Sequence, residues 1–264
     1  MHKLLIIDAQ NDFLDVAGAA LPVPGALADI ERTAAFVARN GAHLDSISVT
    51  MDTHPRVAIE RPGFWKTGAG QAVSPFTEIS EADVRCGKFL PRNAALLPKV
   101  LAYLKALEAG GKYTLMVWPV HCVLGTWGHA MPEVLTDALG DWEEATQMPV
   151  QKILKGLNPM TEQYSAVQAE VPVDSDERTL RNDALVKTVE PTDGLLFVAG
   201  EAMSHCVRAT VLDLLAGFSP EQVARTVLLT DCMSSVTGFE QSAEDFLNYA
   251  RSLGVKTMTS IDVT

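Results

Sequence analysis

Residues 195–217 read LLFVAGEAMSHCVRATVLDLLAG, an apolar run that passes through small residues into a segment of helical character, with one cysteine, Cys206, at the junction. The first part is short, almost wholly apolar and closed by glycine, the pattern of a strand covered on both faces. From Ser204 onward the stretch predicts a helix. A buried strand running straight into a helix is the repeating unit of a parallel α/β sheet, and such sheets bind ligands beyond the carboxyl ends of their strands. Cys206 stands at such an end, so its position raises the choice between an inert buried thiol and a nucleophile.

The same alternation extends in both directions. KLLIIDAQ (3–10), GALADIERTAAFVARNG (25–41) and LDSISVTMD (44–52) read as strand, helix and strand. NAALLPKVLAYLKALEAGG (93–111) predicts a helix, YTLMVWPV (113–120) and VQKILKG (150–156) strands, and ERTLRNDALVKTVEPTDG (177–194) a helix leading into the opening stretch. RTVLLTD (225–231), SAEDFLNYARSLG (242–254) and VKTMTS (255–260) add a strand, a helix and a last strand. The expectation is one α/β domain over residues 1–264, a three-layer sandwich with a central, mostly parallel sheet of about six strands and helices on both faces. Residues 56–92, rich in Pro, Gly and charge, have no clear period and are expected to form an irregular insertion. Its Phe64, Trp65, Phe76 and Phe89 suggest either a lid docked over the rim or a contact in a homo-oligomer.

Composition narrows the partners. Among 264 residues, 21 Lys+Arg against 33 Asp+Glu give a net charge of −12 without long acidic runs, which argues against nucleic acid or an anionic membrane and for a small-molecule substrate. The cysteines at 86, 122, 206 and 232 form no CxxC pair, as expected of reduced thiols in a cytoplasmic protein. The apolar run from Leu4 to Ile7 is cut by Asp8, and no later run approaches the length of a membrane span.

The predicted strand ends carry the chemistry: Asp8, Asp52 with His54, Trp118 with His121, Lys155, and Cys206. Singly each has an ordinary explanation, such as a turn cap, a loop histidine or a solvated lysine. Their convergence on one rim argues for a site. Asp52 and His54, one residue apart on extended backbone, point to the same side, and with His121 they offer a mixed nitrogen and oxygen donor set suited to zinc, iron or manganese.

IIDAQNDFLD (6–15) with ALPVPGA (20–26), DTHP (52–55), WPVHCVLGTWG (118–128), LKG (154–156) followed by YSA (164–166), and GEAMSHCVRATVLDLL (200–215) together resemble the motifs of the isochorismatase-like cysteine hydrolases, and among them the nicotinamidases. The resemblance extends over nearly the whole chain except residues 56–92. It implies a triad of Asp8 as general base, Lys155 as electrostatic partner and Cys206 as nucleophile, and one divalent transition metal on Asp52, His54 and His121. It also implies oxyanion donors from the backbone of Ala202 and Cys206, a cis peptide bond between Glu201 and Ala202, aromatic walls from Phe13 and Trp118, and Tyr164 near the pocket. The activity implied is hydrolysis of nicotinamide to nicotinate and ammonia through a Cys206 thioester. A helix N-terminus and Lys155 would lower the pKa of that thiol.

The match has one gap. Nicotinamidases commonly place a further metal-binding histidine where this chain has Glu60, which as a carboxylate offers an alternative ligand. That gap and the insertion keep open a related amidohydrolase acting on a carbamoyl or ureido compound, for which the metal is often absent. A silent binding protein on the same scaffold is the remaining alternative, against which the triad speaks. Cys122, beside His121, is a rival nucleophile without the strand-to-helix turn.

Overall fold

The computed structural model describes residues 2–263. β1 (His2–Ile7) and β2 (Leu44–Asp52) are joined by α1 (Ala26–Asn40), whose Ile30, Ala34 and Val37 recur at helical spacing and are buried. Between β2 and the next strand of the main sheet the chain builds β3 (Trp65–Thr67), β4 (Thr77–Ile79), α2 (Glu81–Arg85), β5 (Phe89–Pro91), α3 (Leu97–Gly110), β6 (Leu115–Val117) and α4 (Glu133–Thr146). It then runs through β7 (Gln151–Lys155), α5 (Asp183–Val189), β8 (Leu196–Gly200), α6 (Arg208–Leu215), α7 (Pro220–Ala224), β9 (Thr226–Leu229), α8 (Glu240–Leu253) and β10 (Lys256–Met258).

The main sheet has six strands in the order β10-β9-β8-β1-β2-β7, every pairing parallel. All of β8, and β1 from Leu4 on, is buried. Because successive side chains alternate between faces, this requires cover on both, and the helices supply it. The three-layer expectation is met. The strand order reverses around β1, so the carboxyl ends of β8, β1, β2 and β7 lie side by side, and Asp52 of β2 stands opposite Lys155 of β7 in register. Gly200 closes β8 at φ +115°, where a Cβ would come 2.0 Å from the Ile7 carbonyl oxygen, so only glycine lets β8 lie this close to β1.

Three expectations are corrected. β6, read as a strand of the main sheet, pairs antiparallel with β4 instead, so Trp118 and His121 reach the rim from a loop. Residues 56–92 are built rather than irregular: β3 pairs with β5, and Phe64, Trp65, Ile79, Val84 and Phe89 share a second hydrophobic core with Val100, Leu104 and Leu115. Short elements with few repeats leave no period in the sequence to read. The helix expected over 177–194 shrinks to α5, which starts where the Asn182 side chain accepts from the Leu185 N–H (2.9 Å). α4 went unread although Leu135, Leu139 and Trp142 mark its buried face.

The second core makes a direct prediction. Trp65 is fully buried and its indole N–H donates to the Ile59 carbonyl (2.6 Å). Trp65→Ala is expected to cost about 3–5 kcal/mol of stability, seen as a lower denaturant midpoint. A lid residue would leave the midpoint unchanged.

Candidate active site

The strand ends bring the three groups of the expected triad into contact, with Asp52 beside them. Lys155 Nζ lies 2.9 Å from Asp8 Oδ2, 2.8 Å from Asp52 Oδ1 and 3.6 Å from Cys206 Sγ, and it donates to the Gln163 carbonyl (3.0 Å). Asp8, at φ 48° just past β1, also accepts from the Thr50 hydroxyl (2.6 Å), and Lys155 Nζ bridges its carboxyl and the Cys206 sulfur. All three residues are buried. Burial opposes the charge on Lys155, but the Asp52 and Asp8 carboxylates outweigh it and hold the ammonium well above its ordinary range. Burial raises Asp8 against the pull of Lys155.

The Cys206 thiol departs from expectation. Burial pushes it well above its ordinary value, with the Asp8 and Asp52 carboxylates adding to the rise and Lys155 pulling against it. The helix-terminus argument also weakens locally, because residues Met203–Val207 form a π-helical turn and α6 begins only at Arg208. Cys206 is a neutral thiol beside a carboxylate. The peptide bond Glu201–Ala202 is cis, as the resemblance implied. Among the described residues no backbone acceptor meets the Ala202 N–H.

Asp52 divides its two oxygens. Oδ1 faces Lys155, whereas Oδ2 meets His54 Nε2 (2.8 Å) and His121 Nε2 (3.1 Å). One donor atom from each of the three residues lies within 4.8 Å of the others, a buried carboxylate and two imidazoles, which fits a divalent transition metal. Burial works against a charged His54, yet Asp52 raises it to about 9, so without a cation this ring holds a proton where a metal would stand. Burial and the neighbouring Arg61 lower His121 to about 3, leaving it neutral. Glu60, expected as a further ligand, falls outside this group: its Oε1 sits 3.1 Å from His54 Nδ1, on the opposite side of the ring. A carboxylate there meets the imidazole on the nitrogen turned away from Asp52.

Phe13, Trp118, Tyr164, Ala202 and Cys206 line one pocket with Asp52, His121, Leu21, Glu162, His205 and Val236. The Trp118 indole N–H donates to the Tyr164 hydroxyl (2.9 Å), and the Phe13 ring lies 5.2 Å from that of His121. No residue of 56–92 is in this lining, and Phe64, Trp65 and Phe89 belong to the second core. Of the four aromatics, Phe76 reaches toward the wall, its ring 5.9 Å from Trp118. Cys122 is buried outside the pocket, where burial pushes its thiol well up.

Sequence reasoning missed the residues that hold this arrangement. Gln10 exchanges hydrogen bonds with the Asp52 backbone, Nε2 to its carbonyl (2.8 Å) and Oε1 from its N–H (2.7 Å). Asp12 accepts from the Cys122 N–H (2.6 Å) and so fixes the loop bearing His121, and buried Arg61 donates to the Pro119 carbonyl (2.9 Å) and lies 2.8 Å from His121 Nδ1. Glu162 lines the pocket, lifted to about 7 by burial and then by Glu60. The one available signal was the polar run DAQND following an apolar strand.

No protein-family model matches the chain. The chain is 25% identical over 212 residues to a nicotinamidase of Saccharomyces cerevisiae, covering 80% of each. Its fold matches that of a nicotinamidase and pyrazinamidase of Acinetobacter baumanii at a TM-score of 0.65 and 20% identity, covering 100% of this chain and 98% of that one. A pyrazinamidase of Pyrococcus horikoshii solved in complex with zinc matches at a TM-score of 0.56 and 21% identity, with 98% of each chain covered. The likeness to isochorismatase-like proteins of the nicotinamidase type, expected from the motifs, is found in both sequence and fold.

Gly156, at φ +80° after β7, lets His54 take its place, since a Cβ there would come 2.7 Å from His54 Cε1. Gly156→Ala is expected to push the imidazole off Asp52 and weaken divalent-ion binding by about tenfold or more. Competition titration against a chelating dye measures this, and an unchanged affinity would show that the ring has room.

Proposed function

We propose that the protein is an amidohydrolase that converts nicotinamide to nicotinate and ammonia through a thioester on Cys206. The observation that carries this reading is the contact of Lys155 with Asp8, Asp52 and Cys206 at the base of an aromatic-walled pocket. The sequence likeness to a nicotinamidase supports the substrate, and the zinc named for the fold neighbour supports a divalent ion.

The steps follow from what touches what. A neutral thiol is a poor nucleophile, so its proton must leave as sulfur attacks, and Asp8, whose proton affinity burial has raised, accepts it. Lys155 offsets the negative charge that moves between Asp8 and sulfur. The amide carbonyl oxygen becomes an oxyanion, for which the backbone N–H groups of Ala202 and Cys206 are the proposed donors. Asp8 returns the proton to the amide nitrogen, the carbon–nitrogen bond breaks, and ammonia leaves a thioester. Water, deprotonated by Asp8, then attacks the thioester carbon, the carbon–sulfur bond breaks, the sulfur takes the proton back from Asp8, and the acid gives its proton to solvent as nicotinate.

Asp52, His54 and His121 would hold the metal, with Glu60 and Arg61 behind the two imidazoles. When bound, a divalent ion supplies a Lewis-acidic contact for the pyridine nitrogen. Phe13 and Trp118 flank the ring, which leaves the carboxamide directed toward Cys206.

Ammonia release from nicotinamide is the deciding measurement. Cys206→Ala is expected to abolish it in a folded protein, and Asp8→Asn to lower kcat by about 10²–10⁴-fold rather than simply raise KM. A pure KM effect in Asp8→Asn would make it a binding residue. Purified protein is expected to carry about one divalent transition metal per chain, lost in His54→Ala. Activity on carbamoyl or ureido compounds with none on nicotinamide would overturn the substrate assignment.

A further inference from the structure

Behind the turn that carries Ala202 and Cys206, two acidic side chains meet in the interior. Glu201 is fully buried, and Asp29 of α1 is 3% exposed. Glu201 Oε2 accepts from the Ser234 N–H (3.1 Å), whereas Glu201 Oε1 and Asp29 Oδ2 are buried oxygens that no N–H or hydroxyl reaches. The first turn of α1 packs on the Ser234 segment, where a Cβ at Gly25 would come 3.0 Å from Ser234 Oγ and the Asp29 N–H donates to the Gly25 carbonyl, so the two partnerless oxygens are brought together in one buried place. Two carboxylates have no hydrogen to share, so that pairing needs one of them to be an acid.

The surrounding charges decide which. Arg32, one turn along α1, donates to Asp29 Oδ1 and to the Asp231 carbonyl, so its guanidinium neutralises Asp29. Asp15 accepts from the Gly25 and Leu27 N–H groups and adds negative charge from the loop before α1. The segment after β9 contributes the Ser234 N–H. A second ionised carboxylate would face Asp29 and Asp15 with no cation of its own, an arrangement that burial strongly penalises. Burial, and then Asp29, hold Glu201 well above the ordinary carboxyl range.

We infer that Glu201 is a carboxylic acid at neutral pH, donating its proton to Asp29 while accepting from Ser234, and that this two-sided bond positions the turn bearing Ala202 and Cys206. The backbone around it is tied in the same way. The Glu201 N–H donates to the Ile7 carbonyl (2.7 Å), one residue before Asp8, and the Met203 N–H donates to the Ser234 carbonyl (2.7 Å). The side chain adds the link to α1. Glu201 does not line the pocket, so it acts through its neighbours and is a positioning residue. A carboxyl kept neutral by its site so that it can donate is an established device of buried acids.

Infrared difference spectroscopy tests the proton directly. The spectrum of wild type minus Glu201→Gln at pH 7 is expected to contain the carbonyl band of a carboxylic acid, lost as the pH is raised. Absence of that band overturns the inference. Glutamine reproduces the bonding pattern, its amide N–H toward Asp29 and its carbonyl toward Ser234, whereas alanine removes both.

Positioning is read in two ways. The rate at which iodoacetamide labels Cys206, followed by mass spectrometry, is expected to stay within about twofold of wild type in Glu201→Gln and to change by about tenfold in Glu201→Ala. In turnover, which rests on the proposed amidohydrolase reading, Glu201→Gln keeps kcat within about twofold of wild type, while Glu201→Ala lowers kcat with little effect on KM. Glutamine as damaging as alanine would overturn the positioning role. The infrared and labelling arms use no substrate, so their failure is distinct from a failure of the nicotinamide assignment.

Discussion

The site is balanced on one buried ammonium. Lys155 lies between Asp8 and Asp52, carboxylates that burial alone would drive apart or force to take up a proton. Removing a charge from water costs several kcal/mol, and only close, well-directed opposite charges with further hydrogen bonds recover it. Lys155 finds two carboxylates, a carbonyl and a sulfur within reach. The sheet enforces the arrangement, because Lys155 and Asp52 are register partners on adjacent parallel strands and Ile7, just before Asp8, pairs with both β2 and β8.

From that pairing the other groups take their positions. With Oδ1 engaged by Lys155, Asp52 has only Oδ2 left, and both imidazoles converge on it. The far nitrogen of each ring is met from behind, His54 by Glu60 and His121 by Arg61 and the Pro119 carbonyl. Glu60 and Arg61 are adjacent in the chain, so one short segment after β2 serves both rings. Its attachment is secured by the Trp118 N–H, which donates to the Glu60 carbonyl (2.8 Å), and by Ile59, which joins the second core. That core, distant from the reacting groups, thereby holds the backs of the candidate metal ligands.

Much of this could be read before any coordinates, and the reasons are physical. Buried parallel strands are apolar runs, so β1, β8 and β9 stand out, and ligand-binding groups of such sheets collect at the carboxyl ends of their strands, where Asp8, Asp52, Lys155 and Cys206 are found. β6 misled because three apolar residues look alike whether they join the main sheet or a two-stranded ribbon. Glu60 misled because spacing gives the type of a donor but not the side of the ring it faces. Gln10, Asp12, Arg61 and Glu201 were illegible because each acts through contacts with segments distant in the chain. A polar residue's partners are decided by the completed fold.

The proposed nucleophile, Cys206, shows how competing effects are ranked. The expectation of a depressed thiol pKa rested on a helix N-terminus, an effect worth about 0.3–1 kcal/mol at ordinary exposure. Burial without full compensation is larger, commonly several kcal/mol for a charged group, and two nearby carboxylates act in the same direction. Lys155 alone opposes them, and its charge is already shared with Asp8 and Asp52. The resting sulfur therefore keeps its proton. A site built this way gains reactivity only when a nearby base removes that proton during attack, and that is the role proposed for Asp8, in place of a thiolate formed in advance.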